Sequence, residues 1–476
     1  MAYTDQQSGF FDRTMENLRR AWTGLSGQTW QRRGGDLRED LPEDDVDLVR
    51  GQMRECLEAR GGEVSARNRA AELGRSYLAL NDTGRTRFLE LMANEFGTDQ
   101  EAVDVAVAAL QNADPAERHT AELALGAALE PSWRQLLTRF TALPEGVKFL
   151  VDLRADILRY RKVSKKLSVL SDDLQKILGS WFDIALLEMR QIDWSAPAAL
   201  LEKLIAYEAV HEIRSWDDLK NRLDSDRRCF AFFHPKMPDE PLIFVEVALV
   251  SGLAGNVAEL LDESDPAFDP DKADCAIFYS ISNAQQGLAG ISFGNFLIKR
   301  VVDVLSHELP NLKTFATLSP IPGFRAWLDA QEGRPLLAPA ERRALNKWVD
   351  APAADDGADD RALVSAVVTA ALDEGAPEAE ETARQTVNRL CARYLVEEKG
   401  RGGRARDPVA HFHLSNGARV ERLNWRGDLS VKGRQQSHGM MVNYLYKLSE
   451  IEGNHESYVS GDTVVHGPAM RPFLKG

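Results

Sequence analysis

FYSISNAQQGLAGISFGNFLIKRVVDVLSHELPNLKTFATLSPIPGF, residues Phe278 to Phe324, decides the fold of this chain. An apolar run from Ala276 to Ile281 enters the stretch and ends in a polar loop holding Gly287 and Gly290. Phe296, Leu297, Val301, Val304 and Leu305 then recur at helical spacing. A second apolar segment stops at Ser319-Pro320. Strand, glycine loop and amphipathic helix in that order make a cradle for phosphate, because free backbone N–H groups and the positive end of the helix dipole face the ligand. The same pattern also fits a plain strand-to-helix turn whose glycines take positive φ. It lacks the spacing of a dinucleotide fingerprint and the Lys-Ser/Thr ending of a P-loop.

Around this stretch, further β-like runs cover Arg228 to Phe233, Leu242 to Val250 and Thr314 to Leu318. They alternate with helical patterns around Ser292 to Leu309 and Gly323 to Gln331, which is an α/β arrangement. From Asp45 to about Leu187 the pattern is helical throughout. Val46, Val49 and Met53 form one stripe, Leu89, Leu91, Met92 and Phe96 another, and Ile157, Leu167, Leu170, Leu174 and Ile177 a third. Pro115, Pro131 and Pro144 punctuate the series. A further helix is expected near Arg13 to Leu25. The fold class is therefore α+β: an N-terminal all-α helical bundle domain over residues 1–188, then an α/β domain over 189–476. An Ala/Asp/Glu-rich insert near 350–385 interrupts the second domain, with Arg361 to Leu372 expected as a surface helix between acidic loops. KGRGGRAR, Lys399 to Arg406, is a basic loop, either a hydrated turn or a contact for phosphates.

At 476 residues the chain exceeds one ordinary core. Its 44% hydrophobic and 28% charged residues are those of a globular protein. A net charge of −15 argues against a nucleic-acid surface, and any anionic ligand needs cations gathered at its site. Cys56, Cys229, Cys275 and Cys391 are far apart and form no C-x-x-C pair, which fits buried thiols in a reducing compartment. With no basic-then-apolar leader at Met1 to Phe11 and no run of about 18 apolar residues, no membrane association is expected and the cytoplasm is the default location.

Several long motifs, in one order, carry a resemblance. They are FYSIS, QQGL, GNFLIKRVV and LSPIPGF, then FHLSNGA (Phe412 to Ala418), NWRGDLSVKG (Asn424 to Gly433) and MVNYLYKL (Met441 to Leu448). YEAVHEIRSWDDLKNRL (Tyr207 to Leu223) and HPKMPDEPLIFVEVAL (His234 to Leu249) belong with them. From about Leu186 to the C-terminus the chain resembles the malonyl-CoA decarboxylase family. The resemblance implies conversion of malonyl-CoA to acetyl-CoA and CO2 with no cofactor besides the CoA ester itself. It implies a catalytic domain similar to GNAT acetyltransferases, in which two parallel strands splay and pantetheine inserts between them. It also implies a helical domain that takes part in a homo-oligomer, a dimer or tetramer. The CoA moiety is expected on Gln286, Gly287, Leu288, Ala289, Gly290, Ile291, Ser292, Phe293, Gly294, Asn295, Ile298 and Lys299. Ala284 stands where the acetyltransferase loop would have Gln or Arg.

Decarboxylation of a malonyl thioester needs the leaving carboxylate held perpendicular to the thioester plane, then stabilisation of the enolate and its protonation at carbon. The thioester is the electron sink, so orientation, an oxyanion donor and one proton donor suffice. Pro320 biases Ser319 to an extended conformation at a strand mouth. An ordinary strand end reads the same way, and no G-x-S-x-G elbow points to a hydrolase. If Asp407 to Ala418 is a strand, His411 and His413 share a face, which allows either a metal pair or a packed histidine, though no third ligand is evident. By resemblance, Ser319 is the catalytic serine and His413 its partner, giving a proton to the enolate carbon with a pKa near working pH. Asn443, Tyr444 and Tyr446 are candidates for lining the acyl pocket or packing a strand. A CoA-dependent acyltransferase and a non-catalytic acyl-CoA-sensing scaffold are the competing functions.

Overall fold

The computed structural model describes residues 18, 22, 37–58, 62–183, 186–291, 296–331, 335–348, 359–373, 377–461 and 463–474. The helix expected at Arg13 to Leu25 lies almost wholly outside them. The chain divides into two compact units.

The first unit spans Met1–Glu188 and takes in two later segments, Phe233–Leu242 and Ala284–Ser292. Its helices are α1 (Glu43–Leu57), α2 (Gly62–Ala79), α3 (Asp82–Glu95), α4 (Gln100–Asn112), α5 (Arg118–Ala128), α6 (Ser132–Phe140), α7 (Gly146–Tyr160) and α8 (Leu167–Trp181). Their starts follow from local chemistry. Asn81 accepts from the Thr83 and Gly84 N–H groups and Asp99 from those of Glu101 and Ala102, each satisfying two orphan donors. The expected stripes bury Val49 and Met53, Leu89, Leu91, Met92 and Phe96, and Ile157, Leu167, Leu170 and Leu174. At the centre, Trp22, Tyr77, Phe88, Phe140 and Phe149 pack edge-on or stacked, and Trp22 Nε1 donates to the Pro144 carbonyl at 2.8 Å.

The two later segments were expected inside the α/β domain. Their polar groups explain why they cluster with the helices. His234 Nε2 meets the Trp181 carbonyl at 3.1 Å, and the buried Arg154 guanidinium on α7 donates to the Gly287 carbonyl and to Gln175 Oε1. Gln175 on α8 in turn donates to the Gly290 carbonyl at 2.9 Å.

The second unit is built on a mixed sheet of β1 (Glu188–Ile192), β2 (Arg227–Phe233), β3 (Ile243–Val250), β4 (Cys275–Asn283), β5 (Thr314–Thr317), β6 (Ser319–Pro320), β7 (Arg419–Asn424) and β8 (Met441–Leu445). Strand order is β1-β2-β3-β4-β5-β8-β6, with β7 also on β8. From β2 onward neighbours run antiparallel except β4 and β5, which are parallel from Cys275↔Thr314 to Phe278↔Thr317. The mostly apolar runs of β3 and β4 reflect burial on both faces, with Glu246, Ser280 and Ser282 buried among them. The longer helices of this unit are α9 (Ala198–Tyr207), α10 (Phe296–Glu308), α11 (Asp360–Asp373), α12 (Pro377–Val396), α13 (Pro408–Ser415) and α14 (Ile451–Gly461).

Two expectations are corrected here. The segment read as a surface helix in the acidic insert is α11, whose Val364, Val367, Val368, Ala371 and Leu372 are buried. The segment read as a strand around His411 is α13. Asp407 caps it by accepting from the Val409 and Ala410 N–H groups, and Pro408 fixes the first-turn φ.

Candidate active site

Parallel pairing of β4 and β5 stops after Phe278 and Thr317, closed by a bond from the Leu318 N–H to the Phe278 carbonyl at 3.0 Å. β4 runs on to Asn283, while the other chain turns away as Ser319-Pro320 to pair with β8. Beyond Phe278 that edge of β4 therefore has no strand partner among the described residues. A cavity of about 350 Å³ opens in the split, lined by Val210, Phe278, Tyr279, Ile281, Asn283, Ser319, Pro320, Pro408, Val409, Phe412 and His413.

Ser319 and His413, 94 positions apart in sequence, meet on the wall of this cavity with Oγ and Nε2 3.1 Å apart. Asp407 sets their separation. Its carboxylate caps α13, which carries His413, and also accepts the Gly323 N–H, four residues beyond Ser319, at 3.2 Å. Nδ1 of His413 lies 2.8 Å from the Tyr446 hydroxyl, and the ring stacks on Tyr444 with centroids 4.5 Å apart. Ser319 Oγ donates to Thr317 Oγ1 at 2.8 Å, and Thr317 Oγ1 also accepts the Tyr444 N–H at 3.2 Å. With its hydrogen committed to Thr317, the serine oxygen accepts from His413. Nε2 then carries the imidazole proton and Nδ1 accepts from Tyr446.

His413 is buried with no carboxylate against it, and desolvation pushes its pKa down to about 3. The ring is neutral at neutral pH, which replaces the expectation of a pKa near working pH. Burial likewise raises the Tyr446 phenol well above its ordinary value. None of the lining residues is a lysine or arginine. His411, two residues before His413 on a helix, points roughly 200° away and bonds the Tyr458 hydroxyl at 2.8 Å, so the two histidines do not form a metal pair.

The described part of the glycine turn ends at Ile291, before the residues that lead into α10. The N–H groups of Leu288, Ala289 and Ile291 bond the carbonyls of Gln285, Gln286 and Leu288 within the turn, so three of the expected amide donors are occupied. Gly287 is buried because a Cβ there would lie 1.8 Å from the Val151 carbonyl oxygen, and only Gly290 has positive φ, 77°. Gln286, Ala289 and Gly290 are exposed. Ser292, Phe293, Gly294 and Asn295 lie outside the described residues. Ile298 is core, and Lys299 faces Glu452 at 3.5 Å.

Sequence reasoning placed Tyr444 and Tyr446 as possible pocket walls. They stand behind His413 instead, and Asn443 ties β8 to β5 through the Thr317 carbonyl at 2.7 Å. Thr317 was missed. Its place two residues before Ser319 on a strand, hence on the same face, was the available signal.

Family models match most of the chain. Residues 185–476 match the malonyl-CoA decarboxylase C-terminal domain and residues 96–182 its N-terminal domain. The chain belongs to the malonyl-CoA decarboxylase family. Mitochondrial malonyl-CoA decarboxylase of Anser anser anser is 36% identical over 83% of this chain and 81% of its own length. That of Rattus norvegicus is 34% identical over 90% and 85%. The crystal structure of the Rhodopseudomonas palustris decarboxylase matches with a TM-score of 0.79 at 41% identity, covering 90% of this chain and 99% of that one. The Agrobacterium vitis decarboxylase matches with the same score at 40% identity, covering 90% and 100%. Within this decarboxylase family, the pair at the strand split is the feature whose chemistry the chain's own residues explain.

Proposed function

We propose that this protein is a carboxy-lyase that converts malonyl-CoA to acetyl-CoA and CO2, with Ser319 and His413 as its catalytic pair. The observation that carries this reading is the 3.1 Å contact between them in a cavity at the split of β4 and β5. Pantetheine runs along the unpartnered edge of β4 and presents the acyl end to the pair. The lining offers the malonyl carboxylate no cation, so the charge is disfavoured there and passes to the thioester enolate as neutral CO2 leaves, to be removed when the enolate carbon is protonated. The C–C bonding pair becomes the enolate of the thioester. Ser319 turns its hydrogen from Thr317 toward the substrate and passes it to the enolate carbon while taking Nε2–H from His413. Nδ1 is supplied in the same chain by Tyr446, and solvent restores the one proton consumed per turnover. The imidazole thus works in its neutral form. Lys299, one turn into α10, is the residue of the 286–299 segment proposed to face the CoA phosphates, and no cofactor besides the ester is required.

Purified protein mixed with malonyl-CoA and no acceptor is expected to release CO2; an acyltransferase or a sensing scaffold leaves the ester intact. Ser319→Ala is expected to lower kcat by about 10²–10³ and His413→Asn by about 10²–10⁴, with CoA binding retained. Near-normal turnover in either variant sinks the assigned roles.

Two further readings belong to this proposal. The chain self-associates through the helical unit, where α5 has no buried residue and Val105, Leu123 and Leu129 of the α4–α5 region are exposed; sedimentation showing only monomer rejects this. The four cysteines are all buried and unpaired, and no helix of the described residues is long and apolar enough to cross a membrane, which supports a cytoplasmic location; fractionation with membranes would contradict it.

A further inference from the structure

We propose that the hairpin from Lys399 to Arg406 is the binding site for phosphate groups of the CoA ester, with Arg404 and Arg406 as its cations; this rests on the decarboxylase reading above. In a chain of net charge −15, eight consecutive residues here hold four cations and no acid. The hairpin is built rather than loose. Lys399 bridges Ala405, the Gly400 N–H bonds the Arg404 carbonyl at 2.8 Å, and Gly402 and Gly403 take the positive φ its tip requires. Buried Ala405 donates its N–H to the Tyr458 hydroxyl on α14 at 2.8 Å, which pins the hairpin to the fold. Arg404 and Arg406 are exposed, and among the described residues neither has an ion-pair partner. Two of the three flanking acids are committed, Glu398 to Arg393 and Asp407 to the cap of α13.

Position supports the assignment. The hairpin leads directly into α13, whose Pro408, Val409, Phe412 and His413 line the cavity. Five residues of helix and two of extended chain keep the Cα atoms of Arg406 and His413 within roughly 14 Å of each other. A pantetheine arm of about thirteen bonds spans roughly 15 Å between sulfur and first phosphate. α14 also joins the hairpin to the other proposed phosphate-facing group, since Tyr458 holds Ala405 and Glu452 holds Lys299.

The test is the double variant Arg404→Ala/Arg406→Ala, assayed on malonyl-CoA and on malonyl-pantetheine, which carries no phosphate. KM for malonyl-CoA is expected to rise about tenfold or more, the scale of lost charge-assisted hydrogen bonds, with kcat held within about twofold and malonyl-pantetheine turned over as by the wild type. Calorimetry is expected to show CoA and 3′,5′-ADP binding weakened by a similar factor. Unchanged KM and unchanged CoA affinity overturn the assignment, as does an equal loss on malonyl-pantetheine. Because the calorimetric arm needs no turnover, a protein that fails to decarboxylate still decides this proposal separately.

Discussion

Thr317 shows how far one hydroxyl acts. It touches no reacting atom in the scheme above, yet by accepting the Ser319 hydrogen it points the whole chain of four side chains in one direction. Thr317→Val keeps the shape and removes the acceptor. We expect kcat to fall about tenfold, the value of one hydrogen bond, with KM little changed, and Thr317→Ser to restore it. Loss in Val and Ser alike would mark Thr317 as a packing residue. The neutral imidazole gives a second expectation. Because His413 does not titrate until about pH 3, kcat/KM should be flat from about pH 5 to 8. A limb centred near pH 6.5 in the profile would show that the ring ionises in the free enzyme. The place of Ser319 at a strand mouth was legible from the proline after it, whereas the roles proposed for Ser319 and His413 came from the resemblance of their motifs. Their contact was not, since no local rule joins positions 94 apart.

At the scale of elements, one segment was read by the wrong cue. The His-x-His alternation suggested a strand, yet Asp407-Pro408 is an N-cap followed by a first-turn proline, and that signal won. Gly287 and Gly290 suggested a ligand cradle, and Gly287 also has a packing role, since the backbone of α7 approaches it too closely for any side chain. Gly287→Ala is therefore expected to destabilise the protein by about 2–4 kcal/mol through forced displacement of that contact. Urea unfolding without ligand reads the change. An unaltered midpoint together with weakened CoA binding would return the glycine to a phosphate role. The runs β2, β3, β4 and β5 were legible because burial leaves them few polar interruptions, whereas the mixed pattern of β7 hid it.

For the whole molecule, three desolvated histidines, His413 and His438 buried and His211 partly exposed, couple stability to acidity. Desolvation lowers His413 to about 3 and His211 and His438 to about 4. Each ring is neutral when folded and takes a proton once unfolded below about pH 6.5, so the unfolded state binds more protons. Their effect is absent above that pH. Below it, stability falls by about 1.4 kcal/mol per imidazole per pH unit until the folded ring titrates. His438 sits at φ 55°, which Asn also tolerates. His438→Asn should lose less stability than the wild type between pH 6.5 and 5, by that amount per unit, in denaturant titrations; equal slopes would show that His438 is already charged in the fold. The division into a helical region and a mixed sheet was plain from periodicity, but the return of 233–242 and 284–292 to the helices depends on long-range bonds that no local pattern encodes.

The separation of Ser319 and His413 along the chain has one more consequence. Closing so long a loop costs entropy that only the finished sheet and its flanking helices repay. A partly folded or misregistered chain cannot assemble the pair by accident, so catalysis arises only after the polypeptide has completed its assembly, and turnover becomes a built-in gauge of maturity.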